Sequence, residues 1–139
     1  MELYLLHPIL VHFPIAILIL GFAVGSISLC RNHPEGLSEA ASWLLWMGAA
    51  SVWMAVGAGL LAQKTAPHIP LAWETLAEHK ELGLWTAGLF TALSLWRFWM
   101  KRRWEKIFFL AWLASLGLLL ATAFHGGELV FTFGMGVQK

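Results

Sequence analysis

No charged residue lies between Glu2 and Arg31, and that gap limits what the chain can fold into more than any other feature. About 20 apolar residues, at 1.5 Å per residue in a helix, cross the roughly 30 Å of hydrocarbon in a bilayer. Ile9 to Leu29 supplies one such run, and Ala40 to Ala62, Leu82 to Trp96 and Ile107 to His125 follow it. The third is only fifteen residues and spans if Arg97 and Lys101 snorkel while Phe98, Trp99 and Met100 extend its apolar length. In hydrocarbon every backbone N–H and C=O must be satisfied within its own segment, so each run is expected to be a helix. The expectation is an all-α fold: one four-helix transmembrane bundle, up-down-up-down, over residues 1–139, with helices at about 8–30, 40–63, 76–100 and 106–125.

Composition agrees with a bilayer as solvent, since 59% of residues are hydrophobic, 12% are charged and nine are tryptophan. The net charge of +1 and the local grouping of the cations speak against nucleic acid as a partner. A lone cysteine, Cys30, excludes an intrachain disulfide, a Cys-x-x-Cys-His haem attachment and a single-chain cysteine-held iron–sulfur cluster. No Lys or Arg precedes the first apolar run, so the positive region of a secretory signal is missing and the first helix is expected to remain as an anchor. Arg97, Lys101, Arg102, Arg103 and Lys106 crowd the third connection, which the positive-inside rule assigns to the cytoplasm of a bacterial inner membrane. Both termini and the second connection are then periplasmic. Trp43, Trp46, Trp96, Trp99 and Trp104 would form an inner aromatic belt, with Trp73 and Trp85 nearer the outer one.

This topology gathers histidines without having used them. His7 and His12 open the first helix, His79 opens the third, and His125 ends the fourth, all at the outer edge. Pro8 suits a first helical turn and leaves His7 near the cap, whereas Pro14 is expected to kink the segment. Gly126 and Gly127 read as the stop of the fourth helix. His33 and His68 fall in connections and read as solvated loop residues. An ionisable side chain at the threshold of a membrane segment is a functional candidate. One turn deeper than His12, His79 and His125 lie small residues: Ala16, Gly83 with Ala87 below it, and Ala121 with Gly117 below it. Such gaps admit either a flat macrocycle or close helix packing. In the second run Ser51, Ala55 and Gly59 form a further ridge of small residues.

Two imidazoles sharing one haem iron separate their backbones by roughly 12–14 Å, against about 8–10 Å between adjacent packed helices. That span suits the diagonal of a bundle, so His12 and His79 are the preferred axial ligands of a haem b, with His125 and His7 bordering the pocket and His125 an alternative ligand. Lys80 is within reach of a propionate, and Glu78 or Glu128 is a candidate proton acceptor. Three or four histidines near carboxylates also suit zinc, copper or non-haem iron. Ser26, Ser28 and Cys30 fall at the opposite end, which leaves nucleophilic chemistry without support.

At His7-Pro8-x-x-Val11-His12-Phe13-Pro14, and again at Gly126-Gly127-Glu128-Leu129-Val130-Phe131-x-x-Gly134-x-Gly136-Val137, the chain resembles a family of small bacterial four-helix membrane proteins of unassigned function. Gly57-Ala58-Gly59-Leu60 and His79 extend the resemblance over nearly the whole chain, with a departure at Gln63, where an acidic residue is expected. Relatives joined to Rieske iron–sulfur and cytochrome c modules imply electron transfer at the outer face. The resulting expectation is an electron carrier or subunit rather than a stand-alone enzyme, binding haem b and exchanging electrons with quinol or a periplasmic cytochrome or iron–sulfur protein. The competing class is a cofactor-free anchor of a larger respiratory or photosynthetic complex. A transporter finds least support, because the inner halves of the helices carry almost no charged or amide side chains.

Overall fold

A computed structural model describes residues 3–32 and 34–135, and no β-strand occurs among them. A 3-10 turn at Leu3–Leu5 leads into α1 (Leu6–Leu10) and α2 (His12–Cys30), followed by α3 (Glu35–Thr65). A second 3-10 turn at Pro70–Ala72 precedes α4 (Trp73–Met100) and α5 (Glu105–Phe131). Together α1 and α2 make one 25-residue apolar rod, interrupted at Val11. Pro14 causes the interruption, because it has no N–H for the Leu10 carbonyl and its ring crowds that oxygen.

The helices outrun the apolar runs that announce them. His7 lies inside α1 rather than at a cap, α3 begins at Glu35 rather than near residue 40, and α4 begins at Trp73 rather than near residue 76. Hydropathy marks the part of a helix that suits hydrocarbon, whereas Glu35, Glu74 and Glu105 in first turns extend the helices into polar surroundings. Carboxylates there are favoured by the positive end of the helix dipole. A larger correction concerns Gly126 and Gly127, which sit within α5 and do not end it. The left-handed glycine is Gly134, at φ +67°, where the Gly134 N–H reaches the Val130 carbonyl and the Met135 N–H that of Leu129. His33 and Gly136 to Lys139 lie outside the described residues.

One spacing organises the interior. Buried or half-buried positions step by four and three along every long helix: Tyr4, His7, Val11, Pro14, Leu18, Gly21, Gly25 and Ser28 on the first rod, and Ser38, Ala41, Leu45, Gly48, Val52, Ala55 and Gly59 on α3. The same stepping gives Ala72, Leu76, His79, Gly83, Thr86, Phe90, Leu93 and Arg97 on α4, and Phe108, Trp112, Ser115, Leu119, Thr122, Gly126 and Leu129 on α5. It is the seam of helices packed at shallow angles. Helix α2 packs on α3, α3 on α4, α4 on α5 and α5 back on α2. Leu18, Leu45, Phe90 and Trp112 are the most deeply enclosed large apolar side chains, and Phe109 stacks on Trp112 with centroids 5.9 Å apart. A Cβ on Gly48 would run into Leu18, and one on Gly25 would meet Phe109 at 2.6 Å, so both glycines set how closely α2 approaches its neighbours.

Outside this seam the middle stretches of the helices remain apolar, and the exposed charges collect near the helix ends. Phe13, Leu20, Met54, Leu110 and Phe124 are all more than half exposed, an arrangement suited to lipid rather than water. By length and apolarity Leu6–Cys30, Glu35–Thr65 and Glu105–Phe131 qualify to cross a membrane. Helix α4 is long enough, but its charged first turns and Arg97 keep it outside that set.

Candidate functional site at the histidine end

His7 and His79 meet at one end of the molecule, with ring centroids 5.8 Å apart and planes at 75°. Each ring is held in the same way. The His7 Nδ1–H donates to the Ala55 carbonyl at 2.9 Å, and the ring rests on Gly59, one turn further along α3. The His79 Nδ1–H donates to the Thr122 carbonyl at 2.9 Å, and its ring rests on Gly126, again one turn further along α5. A Cβ at either glycine would stand 3.0 Å from the imidazole Cε1. A side chain there would push the ring off the carbonyl that orients it. A carbonyl only accepts, so Nδ1 carries the proton in both rings and Nε2 of the neutral imidazole keeps its lone pair for a ligand. This is the tautomer that metal-binding histidines adopt through their outer hydrogen bond.

The four helices contribute in alternation: α1 and α4 bring the histidines, α3 and α5 bring the glycines and carbonyls. Helix α4 packs on α3 and α5, so the two imidazoles reach each other across the diagonal. Just below, the Thr86 and Thr122 hydroxyls meet at 3.1 Å, and each also lies within hydrogen-bond distance of a carbonyl of its own helix, Leu82 and Leu118 respectively; with one proton per hydroxyl, one donates across to its partner while the other donates to its own helix. That contact fixes the register of α4 against α5 directly beneath His79.

The remaining expected residues fall around this pair rather than in it. His12 is exposed, one position off the seam that carries His7, and Ala16 below it is exposed too. The structure therefore joins His79 to His7, not to His12, for a simple angular reason: consecutive residues point about 100° apart on a helix. His125 turns back on its own helix, its Nδ1–H donating to the Ala121 carbonyl at 2.9 Å, and its Nε2 stands 3.7 Å from a Glu78 carboxylate oxygen. Gly83 lies against Thr122 at the α4–α5 contact. Lys80 is exposed on the far side of α4, bordering a recess of about 290 Å³ with Gln63 and Trp73. His68 lies against the Trp73 ring, centroids 4.6 Å apart. Among the described residues no three His, Cys, Asp or Glu side chains are grouped to hold a metal ion.

Ala55, Gly59, Thr122 and Gly126 are the members that reasoning from the sequence did not assign to the site. Gly59 and Gly126 belong to glycine pairs in the resemblance motifs, and the four-three spacing of small residues on α3 and α5 carries them onto the same faces. No curated protein and no solved structure matched the chain significantly. A family model does match, over residues 5–139, and on that match the chain belongs to DUF2231, a family described as predicted membrane proteins.

Proposed function

We propose that this membrane protein is an electron carrier holding a haem b between His7 and His79. In this reading the four long helices form an up-down bundle across the bacterial inner membrane, with both termini periplasmic and the histidine end at the outer face. The carrying observation is the pair of half-buried imidazoles 5.8 Å apart, each with Nδ1 committed to a backbone carbonyl. Two imidazoles bonded to one metal through Nε2, at about 2 Å each, set their centroids roughly 6 Å apart. His7 and His79 would be the axial ligands, and Gly59 and Gly126 keep the flanking helix surfaces free of side chains. A haem so held supplies a one-electron store, which quinol or a periplasmic cytochrome or iron–sulfur protein would fill or empty.

Haem is favoured over a zinc or copper centre of three protein ligands because the third histidine, His125, faces Glu78 and its own helix. The test is the visible spectrum of the purified protein, air-oxidised and dithionite-reduced, with metal analysis of the same sample. A sharpened α-band on reduction and about one iron per chain are expected. A colourless, metal-free protein would overturn the reading in favour of a cofactor-free anchor, and stoichiometric zinc or copper would overturn it in favour of a metal centre.

A further inference from the structure

The opposite end of the molecule carries a second candidate site, independent of the histidines. A recess of about 450 Å³ opens there between the start of α3 and the turn joining α4 to α5. Trp43 and Trp46 form one wall, their rings perpendicular at 5.2 Å. Glu35 and Glu39 border it from α3, Lys101 and Arg102 from the turn. Among the described residues none of these four charges forms an ion pair with another. Arg97 also touches the recess, but its charge is already committed. Nε donates to Ser42, Nη1 to the Lys101 carbonyl and Glu105, and Nη2 to the Ser38 hydroxyl and carbonyl, which engages all five N–H groups of a guanidinium.

The turn itself is strained in a way that glycine would relieve. Lys101 stands at φ 50°, ψ −112°, and Trp104 at φ 62°, conformations that non-glycine residues seldom adopt. Arg97 holds this backbone by its bond to the Lys101 carbonyl. The result is a turn that sets two cations on the same recess as two carboxylates, with no ion pair between them, beside indole rings of the kind that settle at the headgroup level of a bilayer. Separated charges of both signs at that depth match a zwitterion whose remainder is apolar.

We propose that this recess binds the headgroup of an aminophospholipid such as phosphatidylethanolamine, with its phosphate on Lys101 and Arg102 and its ammonium on Glu35 and Glu39. A primary ammonium donates hydrogen bonds to carboxylates, whereas a choline group has no N–H to donate and a glycerol headgroup brings no positive charge. The test is retention of lipid by the full chain in detergent micelles, read by native mass spectrometry after adding phosphatidylethanolamine, phosphatidylcholine or phosphatidylglycerol. One phosphatidylethanolamine per chain is expected, held about tenfold more tightly than the other two. The Glu35→Gln/Glu39→Gln variant should lose the preference over phosphatidylcholine, and Lys101→Gln/Arg102→Gln should lose retention of all three, both with parental helix content. Equal retention of the three lipids by the parent, or unchanged preference in the variants, would overturn the proposal. Displacement of the lipid by equimolar glycerophosphoethanolamine would overturn it too, since the ligand would then be a soluble phosphoamine.

Discussion

His7 and His79 each use a helical carbonyl as their anchor, and that choice is possible only where the facing residue has no side chain. Gly59 and Gly126 therefore act on the imidazoles, not on backbone conformation, since both sit in regular helix. Gly126→Ala would place a Cβ 3.0 Å from the His79 Cε1, so the ring must give by a few tenths of an ångström. Gly126→Leu leaves it no room. Haem content of the purified protein should fall partly in the first variant and almost wholly in the second, and parental content in Gly126→Leu would show that the ring does not need its seat. Thr122→Val removes the hydroxyl that Thr86 meets at 3.1 Å while keeping the carbonyl that His79 uses. A loss of about 1 kcal/mol in unfolding free energy is expected, with the cofactor retained, measurable by denaturation in mild detergent.

At the scale of the helix, Arg97 ties three elements into one end of the molecule. It reaches Ser38 and Ser42 on α3 and Glu105 on α5 from the last turn of α4, with the Glu105 contact at 3.4 Å and both side chains largely buried. The Phe108 ring lies 5.5 Å below the guanidinium carbon. Arg97→Met should destabilise the protein by roughly 3 kcal/mol, because it removes the guanidinium from an enclosed Glu105 contact and the donor that Ser38 and Ser42 share. A thermal midpoint equal to the parent's would contradict that role. This clamp was not legible in the sequence, where Arg97 reads as one of five cations marking the cytoplasmic side. Charge bias locates a residue along the membrane normal but is blind to rotation about the helix axis. The four-three spacing does report that rotation, and it assigns Arg97 to the seam with Phe90 and Leu93. The same spacing, carried back from Leu18 through Pro14 and Val11, reaches His7 and leaves His12 aside. The number and rough extent of the helices were legible because uncharged length is a one-dimensional property. Helix ends were less so, because Glu35, Glu74 and Glu105 belong to helix but not to hydrocarbon.

At the scale of the whole molecule, the histidine and arginine ends are separated by most of a membrane. His79 and Arg97 are eighteen residues apart on one helix, or about 27 Å at 1.5 Å per residue. Cys30 is exposed at the end of α2, on the arginine side, which provides a native reporter of orientation. In intact spheroplasts Cys30 should resist a membrane-impermeant maleimide and react once the membrane is opened, while Ala66→Cys in a Cys30→Ser background should react from outside. The reverse pattern would invert the topology and turn the histidines towards the cytoplasm. Whether one haem iron is shared by His7 and His79 is decided by the haem content of His7→Ala, His79→Ala and His12→Ala variants purified at equal expression. Near-complete loss in the first two, with His12→Ala retaining the parental spectrum, is the predicted result. Full haem in His7→Ala together with loss in His12→Ala would contradict the account.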